Sequence, residues 1–132
     1  MYGFDTGPGN VISDYFVKKL FHKDYDKDGQ IAASGHVNAE MLAYFMHHPF
    51  FERPVPRSGW RMDYSPKYLD DTIRKFAQVA KEDMLATACA FTGEAVAKSM
   101  TDNIPQELIS STKILYASGG GVKNKQIMKE IQ

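Results

Sequence analysis

The chain has 132 residues, with 16 Lys and Arg against 16 Asp and Glu and a formal net charge of zero. This balance removes the electrostatic attraction to nucleic acid or to an anionic membrane, and we expect neither partner. Hydrophobic residues make up 43% of the sequence and aromatic residues 12%. A chain of about 130 residues with this composition can bury a core, and we expect a single domain over residues 1–132.

The sequence shows no membrane or export signal. Its longest apolar runs are about five residues, too short to span a bilayer, and residues 1–10 lack the basic and apolar regions of a secretory leader. The single cysteine, Cys89, cannot form an internal disulfide. Together these features predict a cytoplasmic protein, and Cys89 is expected to be a small core residue.

Apolar spacing predicts helices along most of the chain. In chain order, we expect a helix over 11–21 with Asn10 as its N-cap and a helical turn over 31–34. A helix capped by Asn38 and stopped by Pro49 follows, and Ser65 and Pro66 open the next one. We then expect a long helix over 81–100 and a last helix from Asn124 onward. The alanine-rich face of the long helix predicts that another element approaches it closely.

One segment has the pattern of a β-strand. Residues 113–117 read Lys-Ile-Leu-Tyr-Ala, and residues 2–5 could be the end of a second strand. A strand followed by a glycine-rich turn and a helix is typical of α/β proteins. Because a lone strand cannot satisfy its own backbone, we expect a piece of a larger α/β protein or a chain that borrows strands from a partner.

The strongest local motif is Asp-Thr-Gly-Pro-Gly-Asn at residues 5–10. A carboxylate at a strand end can hold Mg²⁺, and glycine N–H groups at a helix start can face a phosphate. An ordinary tight turn explains the motif equally well. Asp-Thr-Gly is also the aspartic protease signature, but that fold is nearly all β and needs two such aspartates, whereas helices dominate here.

Two further motifs are weaker. Residues 118–121, Ser-Gly-Gly-Gly, permit close approach of a flat ligand or a phosphate, or form a flexible turn. Residues 24–31 imitate the start of an EF-hand loop, but the twelfth position is Gly35 instead of Glu, which favours a solvated acidic turn.

Two other features are candidate sites. His47 and His48 are adjacent and point about 100° apart on a helix, so they cannot chelate a metal together, and a role at the helix C-terminus is favoured. Trp60, with Arg57 and Arg61, could bind a sugar or an anion, or form a surface clip, and the sequence leaves these alternatives open.

Taken together, residues 3–10, residues 25–29, and residues 118–121 with Asn124 resemble the anhydro-N-acetylmuramic acid kinase family. These enzymes of bacterial peptidoglycan recycling belong to the sugar-kinase, actin and heat-shock-chaperone superfamily. The resemblance implies an α/β fold class: a helix-rich partial lobe of an actin-like ATPase (ribonuclease H-like) fold with few strands, in which a phosphate motif, a helical insertion and an adenosine motif follow each other.

The resemblance also implies a reaction and a site. Family members use ATP and Mg²⁺ to phosphorylate the anhydro sugar while a water, activated by an aspartate, opens the anhydro ring. The implied phosphate motif, with Asp5 beside the metal, comprises Asp5, Thr6, Gly7, Gly9 and Asn10. The implied adenosine motif comprises Gly119, Gly120, Gly121 and Asn124.

Some family features have no counterpart here. The first phosphate motif and the catalytic aspartate of the family lie upstream of the matched region, and residues 54–61 lack the Thr of the usual pattern and displace its Arg. We therefore assign no catalytic or sugar-binding residue and expect the chain alone to be inactive. The alternative is a non-catalytic helical interaction module that dimerises or recruits a partner through unpaired strands.

Overall fold

The computed structural model describes residues 3–59 and 62–131, which form α-helices and short 3-10 helices and contain no β-strand. The α-helices are α1 (Val11–Phe21), α2 (Gln30–Ala33), α3 (Ala39–Met46), α4 (Pro66–Lys75), α5 (Lys81–Asn103), α6 (Gln106–Ser111) and α7 (Lys125–Ile131). The 3-10 helices span Lys27–Gly29, Pro49–Glu52 and Gly120–Lys123. None of the described helices is both long enough and apolar enough to cross a membrane.

Most helix boundaries follow the sequence pattern. The predicted caps at Asn38 and Ser65 are confirmed, since their side chains accept hydrogen bonds from the N–H groups of Met41 (2.9 Å) and Tyr68 (3.3 Å). Asn10 occupies the N-cap position of α1, as predicted, but its side chain makes no cap hydrogen bond. Helix α5 continues to Asn103 instead of ending at residue 100.

The strand predicted at residues 113–117 is wrong for this chain. The segment has no regular secondary structure between α6 and the 3-10 helix at Gly120–Lys123, and its apolar side chains are exposed: Ile114 65%, Leu115 56% and Tyr116 90%. A strand needs a neighbour for its backbone hydrogen bonds, and the described residues supply none. The other candidate strand, 2–5, is likewise not formed at residues 3–5, and Tyr2 lies outside the described residues.

Helix α5 lies at the centre of the core and packs against α1, α2, α3 and α7. Its inner face mixes fully buried large and small side chains, with Leu85, Ala88 and Phe91 at 0% exposure. Phe91 stacks on Phe45 of α3 with ring centroids 5.0 Å apart. Cys89 is buried on the same face, as predicted. The small side chains of this face, with Phe91 as its one aromatic residue, let short helices approach α5 closely.

A histidine supports the turn after α3. The Nδ1 atom of His48 accepts a hydrogen bond from the Phe50 N–H at 3.1 Å, and Nε2 donates to the Asp63 carbonyl at 2.9 Å. This pattern requires the neutral imidazole with its proton on Nε2. The ring also stacks on Tyr64 at 4.5 Å, and burial lowers the pKa of His48. Its neighbour His47 bonds the Ala43 carbonyl at the end of α3, in agreement with the predicted helix-terminal role.

We expect the free energy of unfolding to fall as the pH drops below 6.5, the ordinary pKa of histidine. The unfolded chain then binds a proton that the folded state resists, so the stability from His48 is present above this pH and lost below it. Urea unfolding between pH 7 and pH 5 measures the slope. His48→Gln should flatten it, whereas the matched control His22→Asn, at an exposed helix end, should leave it unchanged.

Removing the aromatic contact at the core should be costly. We expect Phe45→Ala to lower the free energy of unfolding by about 3–5 kcal/mol, because a fully buried ring is replaced by a cavity. Met62→Ala is the control: its side chain is 76% exposed, and the change should stay within about 0.5 kcal/mol. Equal losses in the two variants would contradict this description of the core.

Candidate functional site

The turn at residues 5–10 rests on one face of α5. A Cβ atom at Gly7 would lie only 2.7 Å from the Cβ of Ala95, so the turn and the helix are in close contact there. On either side, Thr92 Oγ1 donates to the Gly9 carbonyl and Ser99 Oγ donates to the Thr6 carbonyl, both at 2.9 Å. The element that approaches the alanine-rich helix is therefore the predicted phosphate motif itself.

The backbone of this turn is polarised. Its carbonyl groups are hydrogen-bonded to protein donors at Asp5, Thr6, Pro8, Gly9 and Asn10. Within the described residues, by contrast, no protein acceptor receives a hydrogen bond from the N–H groups of Thr6, Gly7, Gly9 or Asn10. The turn thus uses its carbonyls to hold itself to the protein and keeps its N–H groups available for another acceptor, which is the arrangement of an anion-binding turn.

The Asp5 side chain is held by the segment that follows the 3-10 helix at Pro49–Glu52. Its Oδ2 atom accepts a hydrogen bond from the Gly59 N–H at 2.6 Å. The Asp5 N–H donates to the Arg57 carbonyl at 2.9 Å, and the Arg57 Nε donates back to the Asp5 carbonyl at 3.3 Å. These contacts fix both the backbone and the carboxylate of Asp5.

Arg57 is 8% exposed, which favours a structural role that holds neighbouring segments together over a sugar-binding site on the surface. Its guanidinium lies 4.6 Å from the Phe50 ring centroid and donates to Ser99 Oγ at 2.8 Å. Trp60 and Arg61, the other members of the predicted cluster, lie outside the described residues.

The second glycine motif meets the first at Asn10. A Cβ atom at Gly121 would lie 3.1 Å from Asn10 Oδ1, and one at Gly120 would lie 4.0 Å from Asn10 Nδ2. The Asn10 side-chain amide makes no hydrogen bond to any other residue in the described part of the chain. Instead of capping α1, Asn10 stands between the two motifs with a donor and an acceptor available.

Two cavities open on either side of Asn10. One, of about 330 Å³, is lined by Gly9, Thr92, Gly119, Gly120 and Gly121. The other, of about 440 Å³, is lined by Gly120 and Asn124, by the first turns of α1 and by residues 25–28. Asp5 lines a separate cavity of about 410 Å³ beside Arg57. The structure therefore brings the predicted phosphate and adenosine motifs together at Asn10, while Asp5, at the start of the turn, lines a different cavity.

The Asn124 side chain stabilises the start of α7 beside the larger cavity. Its Oδ1 atom accepts a hydrogen bond from the Gln126 N–H at 3.0 Å, which starts α7, and its Nδ2 atom donates to Cys89 Sγ at 3.5 Å. Gly29 packs on the same amide, and a Cβ atom there would collide with Asn124 Oδ1. Asn124 thus reaches the cavity wall with its amide already engaged.

The acidic turn that imitates an EF-hand also serves the backbone. The two carboxylate oxygens of Asp26 accept hydrogen bonds from the N–H groups of Ile31 (2.9 Å) and Ala32 (3.0 Å), which start α2. No group of three or more His, Cys, Asp or Glu side chains that could hold a metal is found in the described segments. Near the larger cavity, burial raises the pKa of the Asp14 carboxyl, and the nearby Lys18 opposes this rise.

Two residues of the site, Thr92 and Ser99, were not predicted from the sequence, and a third, Arg57, was predicted only as a member of a cluster with Trp60 and Arg61. Thr92 and Ser99 fix the carbonyls of the turn, and Arg57 joins Ser99 to Asp5. The only sequence signal for the first two is their spacing around Ala95, which gives a small polar stripe on an otherwise apolar helix. The contacts of Arg57 with Asp5 and Ser99 have no local sequence signal, because both partners are more than 40 positions away.

We expect Gly7→Ala to destabilise the protein by about 1–3 kcal/mol, since the added methyl group would collide with Ala95 and lift the turn from α5. Gly3→Ala is the matched control, because a Cβ at Gly3 meets nothing within 4 Å. Thermal and urea unfolding of the two variants measures the difference. A Gly7→Ala variant as stable as Gly3→Ala would show that the turn is not packed on α5 as described.

Comparison with known proteins agrees with the geometry. A model of the family "Anhydro-N-acetylmuramic acid kinase" matches residues 1–132. The curated anhydro-N-acetylmuramic acid kinase of Clostridioides difficile is 35% identical over 132 residues, which is 100% of this chain and 34% of the relative. That of Burkholderia cenocepacia is 35% identical over 130 residues, 98% of this chain and 33% of the relative. That of Hydrogenovibrio crunogenus is 32% identical over 130 residues, which is 98% of this chain and 34% of the relative.

The chain therefore spans about a third of the length of these curated relatives. The match runs through both glycine motifs and through the helices between them. On this evidence, the chain belongs to the anhydro-N-acetylmuramic acid kinase family.

Proposed function

We propose that this chain is the central part of an ATP-dependent sugar kinase of peptidoglycan recycling. The complete enzyme would phosphorylate anhydro-N-acetylmuramic acid and open its anhydro ring by hydrolysis. The observation that carries the proposal is the polarised turn at residues 5–10, whose carbonyls are bonded to the protein while several N–H groups have no described acceptor. The names of the relatives supply the substrate.

The turn is suited to the phosphates of ATP. The N–H groups of Gly7 and Gly9 are dipoles fixed before the ligand arrives, and the positive end of α1 begins directly after them. Gly9 has nothing within 4 Å of the position of a Cβ atom, so its backbone is open to close approach. Stabilising charge on a transferred phosphoryl group is most of the work in this class of reaction.

Asp5 fits a magnesium ion that arrives with the nucleotide. Its Oδ2 atom is bonded to Gly59, and its Oδ1 atom accepts from no donor in the residues that the structure describes. Mg²⁺ bound to nucleotides commonly uses one or two carboxylates and completes its shell with phosphate oxygens and waters. Asp5 would hold the ion directly or through water, and the ion would neutralise phosphate charge.

The two cavities at Asn10 are suited to the nucleoside. Gly119, Gly120 and Gly121 form one wall, where missing side chains allow a flat group to approach the backbone. Asn10 carries an amide donor and acceptor that have no partner in the described residues, between these glycines and the phosphate turn. Asn124 would contribute by shaping the wall, since its amide is already bonded to Gln126 and Cys89.

The remainder of the enzyme would come from the rest of the polypeptide. We infer that residues 1–132 form one partial domain of an actin-like ATPase lobe, that the segment at 113–117 pairs with strands supplied elsewhere, and that the enzyme acts in the cytoplasm. Phosphoryl transfer depends on positioning by both lobes, and we assign the general base to a residue outside this chain. The chain alone should therefore be inactive.

A second candidate function rests on the same exposed segment. Ile114, Leu115 and Tyr116 together present an unpartnered apolar surface, which favours an interaction module that recruits a partner or a second copy by strand pairing. Such a module would dimerise without responding to nucleotide.

We expect Mg-ATP to stabilise the complete polypeptide that carries these residues against thermal unfolding. At a hundredfold excess over the dissociation constant the gain is about 2.7 kcal/mol. Asp5→Ala should remove the magnesium dependence of this gain. Asp24→Ala, at an exposed position of the acidic turn, is the matched control and should keep it.

The activity assay is phosphorylation of anhydro-N-acetylmuramic acid with ATP by the same polypeptide and, in parallel, by residues 1–132 alone. Transfer by the complete polypeptide and none by the chain alone supports the proposal. Transfer by residues 1–132 alone would refute the assignment of the base to the missing part. Self-association without any nucleotide response would favour the interaction module.

A further inference from the structure

We propose that Arg57 is a positioning residue for the phosphate-binding turn and that it acts through Ser99. This inference rests on the proposed function, because the turn it positions is the one assigned to the phosphates of ATP. It gives a role to the segment around residues 56–59, for which neither the motifs nor the family comparison provides one.

The hydrogen bonds form a relay from Arg57 to the turn. The Arg57 Nη2 donates to Ser99 Oγ at 2.8 Å, and Ser99 Oγ donates its own proton to the Thr6 carbonyl at 2.9 Å. Because Arg57 can only donate, it forces the serine hydroxyl to use its proton on Thr6. The direction of the relay is therefore fixed.

A second branch reaches Asp5. The Arg57 Nε donates to the Asp5 carbonyl at 3.3 Å, and the Arg57 carbonyl accepts from the Asp5 N–H at 2.9 Å. Two residues on, the Gly59 N–H holds the Asp5 carboxylate. One short segment thus fixes two successive carbonyls of the turn, at Asp5 and Thr6, and the orientation of the proposed metal ligand.

Arg57 is itself rigidly held. Its Nη1 donates to the carbonyls of Phe51 at 3.3 Å and Arg53 at 3.2 Å, and the guanidinium lies over the Phe50 ring. All of its described acceptors are neutral, and it forms no ion pair in the ranges that the structure covers. A buried cation whose described acceptors are all neutral lies directly behind a turn whose N–H groups have no acceptor in the described residues, and it makes that turn more attractive to an anion.

The Asp5 carbonyl points toward Arg57 and the Thr6 carbonyl toward Ser99. Because the C=O and N–H of one peptide unit point in opposite directions, the N–H groups that follow these carbonyls face away from Arg57 and Ser99. If the relay is broken, the peptide units can rotate and a carbonyl can meet the phosphate. The expected defect is therefore specific to phosphate-bearing ligands and spares ligands that occupy only the nucleoside cavities.

The test compares Mg-ATP with adenosine on the complete polypeptide, by titration calorimetry, for wild type, Ser99→Ala and Arg57→Lys. Ser99→Ala removes one hydroxyl and nearly preserves volume. Arg57→Lys keeps the positive charge but loses the planar guanidinium group, which donates to several acceptors at once. We expect the dissociation constant for Mg-ATP to rise about tenfold in each variant, with that for adenosine unchanged. The matched control is Thr101→Ala, because Thr101 bonds only carbonyls of its own helix.

Equal weakening of both ligands would overturn the proposal, since it would show a general structural role for Arg57 and Ser99. Unchanged Mg-ATP binding in both variants would also overturn it. If Arg57→Lys does not fold, the dissociation constants of Ser99→Ala for Mg-ATP and for adenosine still distinguish a specific phosphate defect from a general structural one. If wild type binds adenosine but not Mg-ATP, or binds neither, the proposed function itself fails, an outcome that is recognised before any variant is compared.

Discussion

The contact between Gly7 and Ala95 is the constraint on which the candidate site depends. The turn at residues 5–10 can lie directly on α5 only because neither side presents a large side chain at that point. Close approach then brings the Thr6 and Gly9 carbonyls within reach of Ser99 and Thr92. Those two hydrogen bonds decide the direction of the peptide dipoles, and the direction of the dipoles decides what kind of ligand the turn can accept.

Helix α5 therefore serves as a common support for both glycine motifs. Thr92 and Ser99 hold the first motif, and Cys89 accepts a hydrogen bond from Asn124 beside the second. The same helix carries the aromatic contact with Phe45 that anchors the core. Since the site and the core share one rigid element, the spacing between the two motifs is determined by core packing and not by the loops that contain them.

The sequence predicted the local features of the fold well. Helix α1, the caps at Asn38 and Ser65, and the buried Cys89 follow from periodicity and capping preferences that act within a few residues. The strand at 113–117 was predicted on the same local grounds and did not form, because strand pairing depends on distant residues. Asn10 stands at the predicted N-cap position, but its side chain does not cap α1 and lies beside Gly121, more than 100 positions away, a contact that no local pattern predicts.

The sequence pointed to the candidate site where glycines stand close together, as in residues 5–10 and 118–121, and the ligand roles of these residues stay predictions. The meeting of the two motifs at Asn10 and the relay from Arg57 could not be predicted, because both depend on contacts between remote segments.

The exposed segment at 113–117 has a practical consequence for handling this chain. Ile114, Leu115 and Tyr116 form a contiguous apolar row with high β-propensity beside a backbone that no neighbouring strand covers. Such a row is a template for edge-to-edge aggregation between chains. In preparations of residues 1–132 the concentration limit will be set by this row and not by the well-packed core. A charged residue in place of Leu115, 56% exposed, would raise solubility without touching the site.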